Sequence, residues 1–193
     1  MSAMYVLVSE AAAVVVIAPL TGVALAARGL RGLRQAVIVL ALLEGVSLSW
    51  AVLGARLPWQ TAMAAHLTLG AAAFALVALG AWCGSTFRDP LDASACSVSM
   101  ALVATCGLFV SGSLGADLPT PVVNAALLAN PIIAVGSAAD IDLLRSDFLY
   151  QISPIAHRRF AYPAWYLSAG YFSMVSLMAA AGVARARRFK GLR

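Results

Sequence analysis

Residues 118–139, LPTPVVNAALLANPIIAVGSAA, are the stretch that decides the fold of this chain. It carries no Asp, Glu, Lys or Arg and is long enough to cross about 30 Å of hydrocarbon as a helix. Prolines interrupt it, however, and proline removes a backbone donor and disfavours helix at the preceding residue. Such broken backbone persists at membrane depth only where protein or water satisfies it. The stretch therefore predicts a re-entrant pair of short helices that turns at Asn130-Pro131, with Asn124 and Asn130 packed inward.

The composition indicates a membrane protein. Of the 193 residues, 62% are hydrophobic and 11% are charged, against roughly 25% charged in soluble domains. The mean hydropathy is +0.90. A soluble protein could not cover so much apolar surface, which excludes soluble enzymes, secreted disulfide scaffolds and disordered chains. We expect an all-α, polytopic helical membrane protein with a single transmembrane domain over residues 1–193.

The arrangement of charges favours five transmembrane helices plus an external re-entrant segment at about 115–160. The five predicted spans are about 4–27, 35–55, 62–86, 93–114 and 161–184. With the C-terminus cytoplasmic, nine of the thirteen Lys and Arg residues then lie inside and four outside. If residues 118–139 crossed as a sixth span, six would lie inside and seven outside. The positive-inside rule favours the first arrangement, and six spans remain the alternative.

The net charge of +5 indicates contact with lipid rather than with nucleic acid. Its basic residues gather in short clusters beside apolar runs, as expected of residues that face anionic cytoplasmic lipid. These clusters are Arg28, Arg31 and Arg34; Arg88; and Arg185, Arg187, Arg188, Lys190 and Arg193.

Glu44 is the sharpest single candidate for a functional residue. It lies roughly 15 Å into the second predicted span, at 1.5 Å rise per residue. An ionisable group at that depth is costly and usually faces a cavity or a partner. Three interpretations stay open: a protonated glutamic acid hydrogen-bonded to Ser47, Ser49 or a neighbouring helix; a role in substrate binding or helix coupling; and proton translocation.

Two further features have both a structural and a functional interpretation. His66, near the outer start of the third span, could ligate haem or a chlorin, but no second His lies at matching depth. A simple hydrogen-bonded histidine is therefore favoured. Gly80 and Gly84 form a GxxxG motif, which brings helices into close contact, and packing within the chain is favoured over dimerisation. Catalytic, P-loop and metal-ligand motifs are missing from the sequence, so we expect no enzyme activity, no cofactor and no metal.

The order of these features resembles the ABC-2 type permeases, the membrane subunits of certain ABC transporters. Three stretches carry the resemblance. Residues 78–90, ALGAWCGSTFRDP, resemble the family's exit from a span into a short cytosolic loop. Residues 129–134, ANPIIA, resemble the Asn-Pro turn of its external re-entrant segment, and residues 160–190 are similar to its last span with an Arg-rich end.

The resemblance implies a permease that moves an unidentified substrate across a bacterial cytoplasmic membrane. A separate ATP-binding subunit would supply the energy through residues 28–34 and 86–92, and a second permease chain would complete a homodimer or heterodimer. The implied ATPase-coupling candidates are Arg28, Arg31, Arg34, Arg88 and Asp89.

The chain departs from the family pattern at its N-terminal end. The family usually has six spans and a longer first cytosolic segment, whereas only residues 27–34 correspond to that segment here. The departure leaves an alternative function, a non-transporting structural or cofactor-holding subunit of a larger electron-transfer membrane complex.

Overall fold

A computed structural model describes residues 3–26, 28–110, 118–144 and 161–191. The regular structure in these ranges is helical throughout, which confirms the predicted all-α class. The helices are α1 (Ala3–Ala26), α2 (Gly29–Leu53), α3 (Trp59–Thr86), α4 (Pro90–Val110), α5 (Thr120–Ala129), α6 (Pro131–Ala138) and α7 (Trp165–Gly191).

Helices α1, α3 and α7 run parallel to one another, and α2 and α4 run in the opposite direction. Near the start of α1, Leu7 belongs to the same cluster as Ala65 of α3. Near its end, Val23 packs beside Cys83 of α3 and Ala93 of α4. The first, third and fifth predicted spans, which correspond to α1, α3 and α7, therefore begin at one end of the bundle and finish at the other.

The helices have the length and apolar surface of membrane spans. Among the described residues, Val6–Ala26, Trp59–Thr86 and Trp165–Arg187 are long and apolar enough to cross a membrane, and the α5–α6 pair would make a fourth. Helix α2 contributes a shorter apolar helix, Val37–Leu53, and α2 and α4 stay predicted spans. Large apolar side chains such as Leu53, which is 81% exposed, cover the outside as contact with lipid tails requires.

Glycine brings α1 and α3 into backbone contact. A Cβ atom at Gly80 would collide with the carbonyl oxygen of Pro19, and one at Gly22 would collide with that of Val77. At Gly84 it would lie 2.8 Å from the Cβ of Ala26. The GxxxG motif is thus a packing surface within this chain, occupied by α1, as the sequence favoured.

The break at Asn130-Pro131 is present, and α5 and α6 meet there at 83°. Leu118, which precedes the pair, packs against the same buried cluster as Leu143 and Leu144, which follow it. A straight helix over this stretch would separate those flanks by about 30 Å. Because both flanks pack in one cluster, the structure favours a pair of helices that turns back rather than a pair that crosses the membrane.

Asn130 explains why the break is stable. The residue is fully buried, and its Oδ1 accepts from the backbone N–H groups of Ile132 and Ile133 at 3.0 and 3.1 Å. Its Nδ2 donates to the carbonyl oxygen of Thr105 in α4 at 2.7 Å. One side chain thus caps α6 and satisfies a neighbouring helix. The prediction that Asn124 also packs inward is wrong, because Asn124 is exposed on α5.

The approach to α7 is bonded to the bent pair. The hydroxyl of Tyr162 donates to Asp142 and accepts from the N–H of Leu144. The hydroxyl of Ser137, in α6, donates to the carbonyl oxygen of Pro163 at 3.0 Å. The start of the last helix is therefore held against α6 and the residues that follow it.

The predicted helix boundaries need two corrections. Residues 29–34 lie between the first two predicted spans, but they are helical, because α2 already begins at Gly29; leucine and arginine favour helix enough to offset the two glycines among them. The basic C-terminal stretch is likewise the end of α7, up to Gly191. Of the predicted re-entrant segment 115–160, residues 118–144 are described and the rest lies outside the described residues.

Candidate functional sites

Four polar side chains from three helices meet in the half of the bundle that contains α6. We call them the polar cluster: Glu10 of α1, Glu44 and Ser47 of α2, and His66 of α3. Glu10 and His66 each lie seven residues after the start of their helix, and Ser47 lies six before the end of its own. Because α2 runs opposite to α1 and α3, these positions come to the same level, about 10 Å from the helix ends.

A chain of hydrogen bonds connects three of these residues. The hydroxyl of Ser47 donates to Oε1 of Glu10 at 2.6 Å, and its oxygen lies 3.0 Å from Nε2 of His66. On the other side of the ring, Nδ1 of His66 lies 2.8 Å from the carbonyl oxygen of Ala62. His66 is only 6% exposed. Both ring nitrogens are therefore engaged, which agrees with a hydrogen-bonded histidine rather than a haem or chlorin ligand.

An apolar groove between α1 and α2 reaches the polar cluster. Its volume is about 250 Å³. Glu10, Glu44 and Ser47 lie along it together with Thr21. The apolar residues of the lining include Val14, Ile17, Leu40, Leu43, Leu69 and Val77.

Each of the two glutamates has one buried oxygen left over. Oε2 of Glu10 and Oε2 of Glu44 are buried and make no hydrogen bond within the described part of the chain. Leaving a buried polar atom unpaired costs about 1–3 kcal/mol, and more for a charged group. The two carboxyl groups are also close enough to interact electrostatically. The groove therefore combines apolar walls with carboxyl oxygens whose bonding is incomplete.

Neither of the two serines predicted as possible partners of Glu44 is bonded to it in the described part of the chain. The Ser47 hydroxyl is taken by Glu10 and His66, and Ser49 donates to the carbonyl oxygen of Gly45 at 2.7 Å. A bond back to the carbonyl four residues earlier is common for serine in a helix, because that oxygen is always within reach. Glu10 was missed by the sequence reasoning. Equal distance of Glu10, Ser47 and His66 from the helix ends was the signal that could have identified it.

A second candidate site is a cleft of about 470 Å³ at the other end of the bundle. We call this the basic end, because α1, α3 and α7 finish there beside arginines. Helix α3 ends at Thr86, the chain turns through residues 87–89, and α4 begins at Pro90. The cleft is lined by Val23, Ala26, Gly84, Ser85, Phe87, Arg88, Pro90 and Arg187.

The structure places the ATPase-coupling candidates at this end. Arg28 directly precedes α2 and is exposed, as are Arg88 and Asp89. Asp89 accepts from the backbone N–H of Leu91 at 2.8 Å, which fixes the turn into α4. Arg31 and Arg34 lie in the first two turns of α2, and their side chains fall outside the described residues. Asn130 and Pro131 lie apart from this end, at the start of α6.

Comparison with known proteins gives no relative from which a function could be transferred. No protein-family model, no curated protein and no solved structure matches the chain. In the described ranges, no group of three or more His, Cys, Asp and Glu side chains is arranged to hold a metal ion.

Proposed function

We propose that this chain is a permease-like subunit of an ABC-2 type transporter, which works with a separate ATP-binding subunit and a second permease chain. The cleft at the basic end carries the proposal. It gathers the end of α1, the turn between α3 and α4, and the end of α7 into one concave surface with Arg88 and Arg187 on its wall. A surface built from several spans is what a docked subunit needs in order to move more than one helix.

The positive-inside rule orients this surface in the proposal. Arg28, Arg88 and Arg187 lie at the end of the bundle opposite to α6. If that end faces the cytoplasm, the C-terminus is cytoplasmic and the α5–α6 pair enters the membrane from outside. The cleft would then face the compartment that contains ATP. A bacterial cytoplasmic membrane is the location that the family resemblance implies.

The packing suggests how motion would pass from the cleft into the membrane. The residues from Phe87 to Pro90 connect α3 directly to α4. Helix α3 contacts the backbone of α1 at Gly80 and Gly22, and tightly packed elements shift together rather than deform. A subunit that displaces this short turn would therefore move α1, α3 and α4 together relative to the second permease chain.

Charge reversal at the turn tests the proposal. The tagged chain is purified in mild detergent, and ATP hydrolysis and the bound ATP-binding subunit are measured. We expect Arg88→Glu to lower the amount of that subunit roughly tenfold, because it places a negative charge in a basic docking surface. Arg56→Glu is the matched control, since Arg56 is an exposed arginine beyond the end of α2, away from the cleft. Wild-type protein that purifies without any ATP-hydrolysing subunit would contradict the proposal.

A further inference from the structure

We propose that Glu10, Ser47 and His66 form a proton-transfer chain across α1, α2 and α3, which opens to the apolar groove at Glu10. The chain exchanges one proton between the Glu10 carboxyl group and the His66 ring through the Ser47 hydroxyl. This activity is separate from ATPase docking at the basic end and can be measured on the isolated chain.

A count of donors and acceptors carries the inference. The carbonyl oxygen of Ala62 can only accept, so Nδ1 of His66, 2.8 Å away, must hold a hydrogen. The hydroxyl of Ser47 has one hydrogen to donate but two neighbours, Glu10 at 2.6 Å and His66 at 3.0 Å. One of these neighbours must therefore donate to the Ser47 oxygen, and it must be protonated to do so.

Two proton arrangements with zero net charge satisfy this count. In the first, a neutral Glu10 carboxylic acid donates to Ser47, and Ser47 donates to Nε2 of a neutral His66. In the second, Ser47 donates to the Glu10 carboxylate, and Nε2–H of a His66 imidazolium donates to Ser47. The same heavy-atom positions hold both arrangements, because each uses the same two contacts with the donor and acceptor exchanged.

One step of transfer converts the first arrangement into the second. Glu10 gives its proton to the Ser47 oxygen as Ser47 gives its own proton to Nε2 of His66. One O–H bond breaks on each oxygen, one O–H bond forms on Ser47 and one N–H bond forms on His66. The net charge of the three residues is zero before and after, but the step separates a carboxylate from an imidazolium, and the hydrogen bonds of Ser47 between them offset part of the cost of these two charges.

The groove supplies the route by which a proton enters or leaves. Oε2 of Glu10 has no hydrogen-bond partner among the described residues, and Glu10 lines the groove. The titratable groups that face this point are Glu10 from α1, Glu44 from α2 and His66 from α3. Glu44 also lines the groove, so a proton that arrives there meets a second carboxyl group beside the first.

Nitrogen-15 NMR of the purified chain tests the proposal directly, because the ring-nitrogen resonances distinguish neutral from protonated imidazole. The sequence has two histidines, so a His157→Gln background with ¹⁵N-histidine leaves His66 as the single signal. We expect Nε2 to resonate between its neutral and protonated positions in this background. Glu10→Gln, which keeps the hydrogen bond but has no acid proton, should move it to the neutral position.

The serine variants separate proton transfer from mere packing. Ser47→Ala should move Nε2 to the neutral position as Glu10→Gln does, whereas Ser47→Thr keeps a hydroxyl and should retain the intermediate resonance. Circular dichroism confirms that each variant keeps its helical content.

Three outcomes would overturn the proposal. The first is a wild-type Nε2 resonance at the neutral position across about pH 5 to 9. The second is Ser47→Thr behaving like Ser47→Ala. The third is a shift caused by sodium ions at constant pH, which would indicate a metal-cation site in place of a proton chain.

Discussion

Helices α2 and α3 both pack against α1, but in opposite ways. Between α1 and α3, glycines let the backbones touch at Gly22 and Gly80. Helix α2 lacks such a contact at Gly45, where an added Cβ would meet nothing within 4 Å, and its connection to α1 and α3 includes the hydrogen bonds of Ser47. The comparison indicates that α1 and α3 form one rigid unit held by shape, whereas α2 is positioned in part by polar chemistry.

The largest expected effect comes from disrupting the close backbone contact between α1 and α3. Gly80→Val should destabilise the protein by about 3 kcal/mol or more, because its side chain would enter the space of the Pro19 carbonyl group and neither backbone can yield cheaply. The measurement is unfolding of the purified protein in mixed micelles of increasing denaturing-detergent content. Gly70→Ala is the control: Gly70 lies on the same helix with open space around it, and it should be neutral or gain up to about 1 kcal/mol.

The next effect is expected at the break between α5 and α6. Asn130→Ala removes the cap of α6 and the bond to Thr105, so buried backbone groups lose their partners at a cost of about 2–3 kcal/mol. The same unfolding assay measures it. Asn124→Ala, on the exposed side of α5, should change stability by less than about 0.5 kcal/mol. Equal effects of the two substitutions would show that Asn130 does not hold the bend.

A smaller effect is expected where α2 is held by hydrogen bonds. Ser47→Ala should cost about 1–2 kcal/mol, because it leaves Glu10 and His66 without their shared partner. Ser49→Ala on the same helix removes only a bond to the Gly45 carbonyl and should stay within about 0.5 kcal/mol of wild type. Proteolysis within the connection between α2 and α3, compared for the two variants, would show whether α2 loosens first. Indistinguishable variants would mean that α2 is held by its apolar contacts alone.

Sequence reasoning succeeded where the chemistry of neighbouring residues decides the structure. Proline disfavours helix at the preceding residue, so Asn130-Pro131 is a local signal for a break, and the glycines Gly80 and Gly84 leave a flat face on their helix. Both follow from backbone geometry within a few residues. The predicted all-α membrane class followed from the composition of the whole chain.

The polar cluster could not be predicted from local sequence, because it depends on the relative rotation and level of three helices. Glu44 is the deepest acid in its span. Ser47 lies on the same helix, but its hydroxyl is hydrogen-bonded to Glu10 and His66 rather than to Glu44. The packing of α2 against α1 and α3 determines which residues face one another, and the sequence of a single helix does not predict that packing.

The hydrogen bonds of Tyr162 connect the residues before α7 to the residues that follow α6, at the end of the bundle opposite to the cleft. Its hydroxyl engages Asp142 and Leu144, and Ser137 engages the neighbouring Pro163. Helix α7 begins at Trp165, two residues after Pro163, and continues past Arg187 at the wall of the cleft. A shift of α7 along its own axis would therefore pull on residues 137–144 at the opposite end of the bundle, so one continuous helix would couple a displacement at the cleft to the bent pair.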